Sequence, residues 1–102
     1  MDIQLVFQFS ISEVTDFDKL LSLENLFQII LGENHLVDGH DFGSAEMNIF
    51  VHTNDPERAF ELCEPNIPPE LRTSLRVAYR PLSEDEYHWV YPAGSSSEFK
   101  VA

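Results

Sequence analysis

The chain has 102 residues, the common size of one domain, and its hydrophobic fraction of 43% is enough for one core. Eighteen Asp and Glu stand against six Lys and Arg, giving a formal net charge of -12. The apolar fraction argues against a disordered acidic tail, and the charge balance argues against a nucleic-acid binder, which holds phosphates through Lys and Arg, and against a ligand of anionic membranes. A basic protein partner, a cation or plain solubility stay open.

Asp2 to Ser10 reads as a strand. Ile3, Leu5, Phe7 and Phe9 share one face, and Gln4, Val6 and Gln8 share the other. A helix is predicted from about Asp16 to Leu31, with Ser12 or Thr15 as cap. Phe17, Leu20, Leu23, Phe27, Ile30 and Leu31 recur at helical spacing, opposite Asp18, Ser22, Asn25 and Gln28. Gly32 stands where a left-handed residue ends a helix.

A short strand near Leu36 to Phe42 and a second from Glu46 to Thr53 form a hairpin. Asp38-Gly39 marks a turn or bulge, and Gly43-Ser44 marks a turn. Met47, Ile49 and Val51 face one side of the second strand, and Glu46, Asn48, Phe50 and His52 face the other. Asn54-Asp55-Pro56-Glu57 starts another helix, because Asn or Asp caps and Pro loses no needed hydrogen bond in the first turn. Pro65, Pro68 and Pro69 stop it, or restart it as a short piece over Pro69 to Ser74. Leu75 to Leu82 alternates again, Ser83 to Glu86 is an acidic turn, and Tyr87 to Tyr91 is a last aromatic strand.

The order strand, helix, strand, strand, helix, strand, strand is that of an α+β, ferredoxin-like split βαβ sandwich with an extra C-terminal edge strand. The first and third strands belong at its centre, with both helices on one face. A meander sheet is the competing arrangement. One α+β domain is expected over residues 1–92, with a flexible tail over 93–102. Residues 2 to 10 lack the basic start and apolar run of a secretory signal, and no stretch reaches the roughly 18 apolar residues of a membrane span. Cys63 is the single cysteine, so no intrachain disulfide is possible and a cytoplasmic location is expected.

Chemistry concentrates at Asp38, His40 and Asp41, with His52 on the next strand. Carboxylate and imidazole suit zinc, manganese or iron, and His40, His52 and Asp38 are the candidate ligands if the register brings them together. The bland reading is a turn with exposed histidines; no spacing matches a specific metal motif, and no cofactor is expected. No serine lies in a nucleophile elbow, no glycine-rich phosphate loop exists, and Cys63 reads as a small buried hydrophobe, so no catalytic residue is assigned. The second sheet face offers Val6, Asn48, Phe50 and His52 as a docking surface, unless Phe99 and Val101 of the tail cover it. Residues 1–57 hold one basic residue, Lys19, against eleven acidic ones. Asp38, Asp41 and Glu46 lie in that negative half and complete the candidate partner-binding set.

The segment from Asp38 to Gly43, the strand Glu46 to Val51, the helix start Thr53 to Phe60 and the later Arg76 to Arg80 together resemble a set of small, acidic, uncharacterised bacterial proteins. Their pattern is an Asp-Gly turn, an Asn-Ile-Phe strand and a Thr-x-Asp-Pro helix start. The motifs describe turns, strands and caps, so no catalytic residue carries over. In size, charge and class the chain is also similar to bacterial immunity proteins, which neutralise a basic nuclease toxin. The resulting expectation is a non-catalytic interaction domain that binds a basic protein. The alternatives are a small enzyme or metal-binding domain built on Asp38, His40, Asp41 and His52, and a self-associating protein of other role.

Overall fold

In a computed structural model of the protein, residues 2–11, 14–43 and 45–101 are described. In chain order they form β1 (Ile3–Ser10), α1 (Val14–Leu31), β2 (Leu36–Gly43), β3 (Glu46–Thr53), α2 (Pro56–Cys63), a 3₁₀ turn (Glu64–Asn66), α3 (Pro69–Arg72), β4 (Arg76–Pro81) and β5 (His88–Tyr91). The strands make one open antiparallel sheet in the order β2-β3-β1-β4-β5. This is an α+β fold. It is not a meander, because β1 lies between β3 and β4.

Alternation along β1 separates two apolar clusters. Leu5, Phe7 and Phe9 join Met47, Ile49, Val51 and Val77 beneath the helices, where Leu20, Leu23, Phe27, Leu31, Ala59, Cys63 and Leu71 close the main core. Phe7 and Phe27 meet at 4.9 Å between ring centres, so the central strand and the first helix lock at one aromatic pair. The polar stripe of α1 faces outward as its spacing predicts: Asp18, Ser22, Asn25 and Gln28 are all exposed. Gly32 has φ +61°, the left-handed conformation that a helix end favours and a Cβ opposes.

Asp55 caps α2. Its carboxylate accepts from the Arg58 backbone N–H at 3.1 Å, and Pro56 follows in the first turn. At the other helix the expected caps differ. Thr15 stands inside α1, which begins at Val14, and Ser12 lies outside the described residues. The prolines after α2 produce a 3₁₀ turn before α3, an intermediate step that periodicity does not signal.

The second cluster sits on the opposite face of the sheet. Val6, Ala78 and Phe99 are buried there, with Phe50, Tyr87, Trp89 and Val101 packed around them. In the segment 93–102, expected as a tail, Phe99 and Val101 pack on this face, the alternative to an open docking surface that the sequence left standing. Gln8 Nε2 donates to the Lys100 carbonyl at 2.7 Å and to Asn48 Oδ1 at 3.0 Å, which ties the segment to the two central strands. No helix among the described residues is long and apolar enough to cross a membrane.

Candidate functional site

The Asp/His segment does not converge. Register pairs His40 with Ile49, and Ile49 faces the helices, so His40 turns the same way. Its Nδ1 lies 2.9 and 3.0 Å from the two carboxylate oxygens of Glu24 on α1. His52 belongs to the other face, where Nε2 lies 3.5 Å from Asp38 Oδ2. A bulge between Val37 and Gly39 re-phases β2, so that Asp38 falls on one side and His40 on the other. Gly39 sits there at φ +123°, a conformation L side chains rarely adopt. Asp41 accepts from Asn48 Nδ2 at 3.0 Å.

The proposed triad His40, His52 and Asp38 is therefore split across the sheet, and the four-residue pocket with Asp41 is not formed. Among the described residues no group of three or more His, Cys, Asp or Glu is placed to hold a metal ion. The bland reading of exposed histidines is corrected at His35, which is buried and shares a 2.6 Å hydrogen bond with Thr53 Oγ1; His40 is exposed as that reading has it, and braces sheet to helix through Glu24.

The candidate docking residues divide by accessibility. Val6 and Asn48 have 0% exposure, so neither is an anchor in this arrangement. Their loss has a plain cause: the C-terminal segment occupies the face that strand parity left open. Phe50 is half-buried against the same cluster. Glu46 pairs with Arg76 at 3.6 Å, and its second oxygen is buried without a hydrogen-bond partner among the described residues. Asp38 and Asp41 are exposed, and His52 is half-buried beside Asp38. Cys63 is buried, and burial pushes its thiol up to about 12, so it is protonated and unreactive near neutrality.

A groove that the sequence reading missed lies between β5 and the C-terminal segment. It has a volume of about 830 Å³. Tyr87, Trp89 and Phe99 contribute rings that are buried or half-buried, while Asp85, Glu86 and Glu98 stand exposed at the same opening. His88 and the run Ser95–Ser97 complete it. Phe99 sits between the other rings, 5.1 Å from Tyr87 and 5.2 Å from Trp89. Trp89 Nε1 donates to the Ser97 carbonyl, which fixes the indole as part of the wall. The signal was present in Glu84-Asp85-Glu86 next to Tyr87-His88-Trp89. It was hidden because the groove needs Phe99, assigned to a tail.

Comparison with protein-family models, with curated proteins and with solved structures gives no match for this chain.

Proposed function

We propose that the chain is a non-catalytic protein-interaction domain for a basic protein partner, with neutralisation of a basic toxin by an immunity protein as its specific form. The observation that carries this reading is the uncompensated surface charge. Arg58, Arg72, Arg76 and Lys100 are each already placed beside a carboxylate, at Glu61, Glu64, Glu46 and Glu98. Arg80 is held by Gln4 Oε1 and the Glu84 carbonyl. Asp18, Glu33, Glu57, Glu70, Asp85 and Glu86 have no ion-pair partner among the described residues. Such a surface raises the encounter rate with a basic protein and repels acidic ones.

The strand order supports the finer ferredoxin-like reading: β1 and β3 are central, β4 flanks β1, and β5 extends that edge. A reducing, cytoplasmic setting suits a chain whose single cysteine is a buried thiol. The test is affinity capture from the native host at low and at high salt, followed by association kinetics with the purified partner. A basic protein retained at low salt is expected. Reversal at Asp38 and Asp41 is expected to slow its association by about tenfold while leaving dissociation little changed. Recovery of no basic protein under either condition would overturn the reading.

A further inference from the structure

We propose that the groove between β5 and the C-terminal segment receives an arginine side chain of the partner. This rests on the basic-partner reading and names the place where that partner is gripped. The groove combines an aromatic wall with exposed carboxylates and has no Lys or Arg in its lining. The groove is open along one side, with a volume of about 830 Å³, so a side chain would lie along it with part of its surface in water.

The two halves of the groove ask for different properties in one group. The half-buried ring of Trp89, in the groove wall, favours a flat cation, whose charge is attracted to the π face. Asp85 and Glu86 favour a donor with several N–H groups, because neither carboxylate has an ion-pair partner among the described residues. A guanidinium is planar, stacks on rings and carries five donors in a fixed fork; an ammonium is a compact, strongly hydrated point charge. The molecule shows the same chemistry internally. The Arg80 guanidinium lies 5.8 Å from the centre of the Tyr87 ring. Glu98 has an ion-pair partner, Lys100 at 4.0 Å, and both side chains are largely exposed.

The experiment is a titration of the isotope-labelled full chain with an end-blocked triarginine peptide, read by amide and indole chemical shifts. Trilysine and tetramethylammonium serve as comparison probes. Saturable shifts are expected at the Trp89 indole and along Ser95 to Glu98, with triarginine stronger than either comparison probe. The double substitution Asp85→Asn and Glu86→Gln, at exposed positions that spare the core, is expected to weaken binding by about tenfold. The pair Asp38→Asn and Asp41→Asn is expected to leave it within about twofold. Equal loss from both pairs, shifts centred on β2, equal binding of tetramethylammonium, or no binding each overturns the groove assignment. None of these outcomes removes the basic-partner reading, which stands or falls on the captured protein.

Discussion

Phe27 is fully buried and packs on Phe7 at the centre of the main core. Phe27→Asp would place a carboxylate there with no water and no counter-charge, a cost of several kcal/mol, comparable to the whole stability of a small domain. The expected result is a chain without cooperative thermal unfolding by circular dichroism. Cys63 gives a second prediction, with a direction in pH. Burial raises its thiol from 9.0 to about 12, so folding favours the protonated form. The associated stability is fully present below pH about 9 and is lost as pH rises towards about 12. Denaturation midpoints of wild type and Cys63→Ala should converge over that window. Aryl-disulfide reagents should label the thiol at neutral pH only after unfolding. At Glu24 and His40 the sequence pattern runs out. Glu24 lies among apolar positions of α1, and only the fold shows that it meets His40 across the sheet edge.

At the scale of elements, local chemistry was widely legible. Period-2 alternation placed β1, β3 and β4, and the apolar stripe placed α1, because each element buries one side against the same core. The Asp55-Pro56 start of α2 is a short-range signal with a short-range cause. Asp55→Ala removes the acceptor for the Arg58 N–H. A loss of about 1 kcal/mol is expected, read as a lower denaturation midpoint with an unchanged urea slope. The bulge in β2 was visible as Asp38-Gly39, but its effect was not. One extra residue decides which side chains share a face, and register depends on a partner strand. For that reason the sequence could suggest His40 and His52 as neighbours while the fold sets them apart.

At the scale of the molecule, the candidate site was legible as charge and not as place. Strand parity named Val6 and Phe50 as one surface, but nothing local tells whether Phe99 returns to cover them. Phe99→Ala should cost about 3 kcal/mol and expose Val6 and Ala78, seen as increased binding of a hydrophobic dye. A chain ended at Gly94 should show the same effect more strongly. The bulge also matters to molecules in company. β2 is an outer strand of the sheet, and outer strands invite further strands to add in register, the first step of fibril growth. The kink at Asp38-Gly39 breaks the straight row of donors and acceptors such growth needs, and the carboxylates of Asp38 and Asp41 set like charges against an arriving copy. The bulge that sets His40 apart from His52 thus disfavours amyloid-like stacking on physical grounds, most in dilute salt and less as counterions accumulate.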